Sequence, residues 1–163
     1  MKKKTRFGFL GGALVVACAL GADQPGINNL PDMKEGLWES NTMMTGAMDK
    51  PMRTTMCTSN AVTRKMYEDL HKNADRPCKE IRQERHGSVI TQETECNFNG
   101  KLSRSTSITT LSGNTGMRIE THKADGSVET VIDTKWIGAC PTGMKLGDVT
   151  GPDGKVMMNA MSP

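Results

Sequence analysis

Four cysteines, Cys57, Cys78, Cys96 and Cys140, constrain this chain more than any other feature. Four thiols that pair completely allow three connectivities, each implying a different fold. Whether they pair depends on the compartment, and the first segment speaks to that. Residues 1–22 read MKKKTRFGFLGGALVVACALGA. Lys2, Lys3, Lys4 and Arg6 make a basic start, and Phe7 to Ala17 is an apolar stretch of 11 residues. This is the pattern of an export signal. It is too short for a spanning helix, which needs about 20 apolar residues. Such a signal leads to an oxidising space, where disulfides persist. The sequence therefore predicts a periplasmic chain with two disulfides.

A fifth cysteine, Cys18, sits inside the leader. Val15-Val16-Ala17-Cys18 is similar to a bacterial lipobox at residues 15–18, in which the cysteine is lipidated and becomes the new N-terminus. Ordinary cleavage at Ala17-Cys18-Ala19 or Leu20-Gly21-Ala22 fits the small-residue rule too. Cys18 is thus the candidate lipidation site, and a lipid anchor is the only membrane attachment expected. Residues 23–33, DQPGINNLPDM, carry two prolines and a glycine and read as a flexible tether.

Setting the leader aside reverses the charge. The whole chain is +3, but four of its 21 Lys and Arg precede Cys18, leaving 17 against 18 Asp and Glu. The basic excess belongs to the signal, so nucleic acid drops out as a partner. The remaining length suits one domain, expected over residues 34–148. Without Phe7 and Phe9, its aromatics are Trp38, Tyr67, Phe98 and Trp136. A core this thin is commonly stapled by disulfides.

The pattern along the domain is mostly strand and turn. GLWESNTMM and MRTTMCT flank the breakers TGAMDKP and read as a hairpin with a long loop. Alternation puts Trp38 and Met44 on one face of the first strand, and Met52 and Met56 on one face of the second. Residues 60–73 read as the one helix, capped by Ser59 or Asn60, with an apolar stripe of Val62, Met66 and Leu70. From Cys78 onward, Gly87, Gly100, Gly113 and Gly126 punctuate alternating runs. The predicted fold is α+β and mainly β: a curved antiparallel sheet of about seven strands with one helix. Residues 149–163 are rich in Gly, Pro and Met and read as a loop-like tail.

The run CKEIRQERHGSVITQETEC is nearly symmetric about Gly87. Pairing Arg85 with Val89 places Cys78 opposite Cys96, where cross-strand Cβ atoms approach within about 5.5 Å. Cys57–Cys140 follows by remainder. Free thiols or a zinc site are the competing reading, but no CxxC pair is present.

Several short motifs occur in a telling order: Lys34-Glu35-Gly36-Leu37-Trp38-Glu39, then Thr54-Thr55-Met56-Cys57-Thr58, then Cys78 and Cys96, then Lys135-Trp136-Ile137-Gly138-Ala139-Cys140-Pro141. Over about residues 33–148 this order resembles a family of exported bacterial proteins, domain of unknown function 3617 (DUF3617). Glu35 stands where that family often has proline, which bears only on the strand entry. The resemblance implies a periplasmic or lipidated protein and implies no activity.

The most suggestive chemistry is the methionine series Met43, Met44, Met48, Met52 and Met56. Thioethers are soft ligands suited to Cu(I), so Met44, Met48, Met52 and Met56 are candidate Cu(I) or Ag(I) ligands. Methionine is also adaptable packing material, the better-supported use in an aromatic-poor core. His71, His86 and His122 read as solvated. Glu80, Glu84, Glu93 and Glu95 with Arg82 and Arg85 read as cross-strand ion pairs rather than acid–base machinery. The expectation is a non-enzymatic envelope domain, without a cofactor, that binds an unknown envelope protein or small ligand. A periplasmic Cu(I) or Ag(I) binder is the alternative.

Overall fold

A computed structural model describes residues 31–72 and 77–162. The leader, Cys18 and most of the 23–33 tether lie outside the described residues. The elements are β1 (Gly36–Met44), β2 (Met52–Thr58), α1 (Asn60–Lys72), β3 (Cys78–His86), β4 (Val89–Phe98), β5 (Lys101–Ser112), β6 (Gly116–Lys123), β7 (Val128–Gly138), β8 (Asp148–Thr150) and β9 (Val156–Asn159). They form one antiparallel sheet in the order β3-β4-β5-β6-β7-β1-β2-β8-β9. β1 returns from its pairing with β2 to close against β7, so the two halves of the chain meet at the middle of the sheet.

The sheet is curved, and the helix shows how strongly. Tyr67 lies seven residues after Asn60, a rise of about 10 Å from the end of β2. β2 and β3 are six strand spacings apart, about 29 Å if the sheet were flat. Yet the Tyr67 hydroxyl donates to Glu80 Oε2 of β3 at 3.2 Å. Helix rise plus two side chains cannot span a flat sheet, so its flanks bend toward α1.

Nine strands form rather than about seven. The added pair, β8 and β9, arises from the segment read as loop. These strands have three and four residues, too short to show alternation in the sequence. Distant and neighbouring groups together hold them. Thr150 Oγ1 lies 2.6 Å from Thr55 Oγ1, Gly147 N–H donates to the Cys57 carbonyl at 2.7 Å, and Asp148 accepts from the Lys145 N–H and the Asn159 side chain at 2.7 Å each.

Both cysteine pairings read from the sequence are present, Cys57–Cys140 and Cys78–Cys96. The hairpin register differs at its tip. His86 faces Val89 and Arg85 faces Ile90, around a two-residue turn of Gly87 and Ser88. Two-residue turns with a positive-φ glycine match strand twist, and Gly87 has φ 61°. A bulge between Glu80 and Arg82 then shifts the ladder by one and returns Cys78 to Cys96.

The two tryptophan motifs become one structure. Trp38 faces Trp136, and Glu39 faces Lys135. The Trp38 indole donates to the Lys34 carbonyl at 2.8 Å, and the Trp136 indole to the Glu35 carbonyl at 3.0 Å. Lys34 Nζ sits 3.5 Å above the Trp136 ring. Trp38, Met33, Ile90 and Leu111 form the buried core, with Met117 and Trp136 against it. On the other face Glu39, only 7% exposed, pairs with Arg53 and with Lys135 at 3.2 Å. The Lys135 hydrogen bond, then Arg53, hold its carboxyl below the usual range against the opposing effect of burial. Stability from this group is therefore present above the ordinary glutamate pKa and lost as pH falls through the lowered one. Glu39→Gln is expected to cost about 1–2 kcal/mol at neutral pH and to flatten the acid limb of Tm against pH. An acid limb of unchanged slope would refute this.

Candidate functional site

Helix α1 is fastened at its start and again at Tyr67, with a cavity beneath its middle. Ser59 Oγ accepts the Val62 N–H at 3.3 Å, the cap its position favours. Asn60 Oδ1 accepts the Met33 N–H at 3.0 Å, which brings the chain preceding β1 to the helix start. Further along, Tyr67 is tied to Glu80, which also accepts from Gln92. Among the described side chains of α1, only Val62 is buried. Leu70 and His71 lie outside the described side chains.

Between α1 and the sheet lies a cavity of about 260 Å³. Thr63, Met66 and Tyr67 line it from the helix, on the face that positions three and four apart share. Trp38 and Ser40 of β1, Met56 of β2, Met117 of β6 and Thr134 of β7 line it from below, and Met33 closes one side. The register explains the convergence, since Trp38 faces Met56, and Thr134 faces both Ser40 and Met117. The lining is apolar with a few hydroxyls and no Asp, Glu, Lys or Arg. Ser40 and Thr134 hydroxyls bond each other at 3.0 Å. Burial, reinforced by the Glu80 charge, pushes the Tyr67 hydroxyl up to about 12, so it stays a neutral donor.

Four methionines share this cavity: Met33, Met56, Met66 and Met117. Only Met56 belongs to the set singled out from sequence density. Met44, Met52 and Met56 do lie on the helix face of the sheet. However, Met52 and Met56 are four residues apart along β2, about 13 Å. Met44 and Met52 are exposed, and Met48 sits in the turn, its N–H bonded to the Met44 carbonyl at 3.1 Å. The fold thus separates Met56 from Met44, Met48 and Met52 and does not gather the four as one set. Scattered positions 33, 66 and 117 gave no local signal.

The other singled-out residues lie away from this cavity. Arg82 pairs with Glu84 and Glu93, and Glu95 with Lys79 and Arg104. Arg82–Glu93, Lys79–Glu95 and Arg104–Glu95 are cross-strand ion pairs of the expected kind, whereas Arg82–Glu84 runs along β3 and Glu80 accepts from Tyr67 and Gln92. The His86 side chain is exposed. His122 is half-buried, not solvated, with Nδ1 3.2 Å from the Gly126 carbonyl and Nε2 3.6 Å from Glu120. Among the described residues, no group of three His, Cys, Asp or Glu gathers as a metal site.

A family model described as "Protein of unknown function (DUF3617)" matches residues 33–140. That span opens at Met33 on the cavity wall and closes at Cys140 of the long disulfide. No curated protein and no solved structure matches the chain.

Proposed function

The chain belongs to the DUF3617 family, and from that premise we propose that it is an exported, non-enzymatic binding domain that holds a small apolar ligand, or the apolar part of one, between α1 and the sheet. The observation that carries this is the cavity beneath a lightly buried helix. An apolar pocket with a few convergent polar groups is the usual form of a small-molecule site. Size is adequate: an apolar cavity of about 150 Å³ takes benzene, so 260 Å³ has room for two fused rings or a short acyl segment. Four flexible thioethers let the walls adapt to ligand shape. Export is supported by the signal-like first 22 residues and by two disulfides, which favour an oxidising space.

The test uses N-phenyl-1-naphthylamine, a neutral fluorescent probe of apolar sites. Wild-type protein is expected to bind it saturably, and Met66→Trp, which fills the cavity from the helix side, to weaken binding at least tenfold. Met66 is on the surface helix, so the variant should fold; far-ultraviolet circular dichroism checks this. Equal binding by wild type and a folded Met66→Trp would place the probe elsewhere and end the proposal.

A further inference from the structure

We infer that the ligand is a single-chain amphiphile with an uncharged, hydroxyl-bearing head group. Its chain occupies the cavity under α1, and its head lies on the adjoining stretch of the sheet. This rests on the cavity reading above. The helix face of the sheet continues past the cavity in register. After Ser40 and Thr134, the next row holds Thr42, Ile132, Ile119 and Thr109. The row beyond holds Met44, exposed at the end of β1, then Thr130, Thr121 and Ser107. The other seven side chains of the two rows are half-buried.

Charge is sorted between the two faces. Alternation puts Glu39, Asp133, Lys135, Arg118, Glu120 and Arg104 on the face opposite α1. On the helix face of β1, β5, β6 and β7, the charged side chains are Lys101 and Lys123, both at the far ends of their strands. The helix face of these four strands is thus a neutral floor of hydroxyls and isoleucines, with charge only at the strand ends. A charged head group placed there would shed water without finding a counter-charge, which is costly. A neutral polyol meets matched chemistry, since each threonine offers one donor and two acceptor lone pairs. Ser107 and Thr121 bond each other at 3.0 Å. Thr42, Thr109 and Thr130 make no side-chain hydrogen bond to another described residue, so their hydroxyls are available to a ligand.

The experiment holds the chain at eight carbons and varies the head. Octyl β-D-glucoside, octanol, octyl sulfate and octyltrimethylammonium are titrated, below their micelle concentrations, into disulfide-intact protein. Octyl glucoside is expected to bind at least tenfold tighter than either charged compound. The triple variant Thr42→Val, Thr109→Val, Thr130→Val keeps side-chain shape and strand preference. It is expected to weaken the glucoside about tenfold and leave octanol unchanged. Equal affinities across the four heads, tighter binding of a charged head, or no effect of the triple variant on the glucoside would overturn the head-group inference while the cavity reading stands. Failure of every octyl compound to bind would overturn both.

Discussion

Replacing Cys57 and Cys140 together by alanine should cost this protein about 4.5 kcal/mol, against about 3 kcal/mol for the same change at Cys78 and Cys96. The difference follows from loop length. The first bridge spans 83 positions and the second 18. Cross-linking removes chain entropy from the unfolded state in proportion to the logarithm of the loop it closes. The long bridge has a second role. Cys57 is 1% exposed at the end of β2, and its carbonyl accepts the Gly147 N–H that seats the β8–β9 hairpin. Losing the bridge should therefore loosen β8 and β9 first. Against a typical stability of about 5–15 kcal/mol, the loss is large. Urea unfolding of both double variants checks it, with a larger m-value expected for each because an uncrosslinked chain expands further. A greater loss at Cys78–Cys96 would show that the hairpin, and not the long loop, limits stability.

That pairing was readable because the β3–β4 hairpin writes its own symmetry into the sequence. The tip register was not, because two departures cancel. The two-residue turn at Gly87 and Ser88 moves the ladder by one, and the bulge between Glu80 and Arg82 moves it back. The cysteines satisfy both descriptions. The helix was legible from the four-residue spacing of Val62 and Met66, but its place across a curled sheet was not. Curvature is set by strand twist and by contacts between distant elements, such as Tyr67 of α1 with Glu80 of β3, that no local window contains. β8 and β9 failed for a related reason: Thr150 finds Thr55 at a separation of 95 residues.

The candidate site was the least legible part. A dense run of methionine, Met43 to Met56, drew attention to one hairpin. The fold instead collects Met33, Met56, Met66 and Met117, one from each of four segments. Density along a chain measures composition, whereas a pocket is made by strand order. With β7 and β6 following β1 in the sheet, Thr134 and Met117 arrive beside Ser40 from far along the chain. Alternation along β7 foretells the sorting of Asp133 and Lys135 away from Ile132 and Trp136, the root of the neutral floor beside the cavity; it also groups Val128 with Ile132 and Trp136, which the bulge at Glu129 undoes by pairing Val128 with His122.

Gly36→Ala is expected to cost about 3–5 kcal/mol, a loss comparable with that of the long disulfide. Gly36 has φ +133°, a conformation that side chains rarely adopt, and such strain alone costs about 1–3 kcal/mol. Space is the second problem. A Cβ there would lie 2.3 Å from the Gly138 carbonyl oxygen and 2.7 Å from Trp136 Nε1. Neither can move aside freely. The carbonyl is backbone in β7, and the indole is held by the Glu35 carbonyl. Overpacking of this kind adds about 1–3 kcal/mol. Gly100→Ala is the control, with φ +84° but nothing within 4 Å of its would-be Cβ; it should cost only about 1 kcal/mol. Thermal unfolding of the two variants separates the contributions, at roughly 3–5 °C per kcal/mol for a domain of this size. If the close approach of β1 to β7 is what requires glycine before Leu37 and Trp38, Gly36→Ala falls by more than 10 °C and Gly100→Ala by much less. Equal losses would mean that backbone handedness alone accounts for Gly36, and that the contact between the two tryptophan motifs tolerates a methyl group.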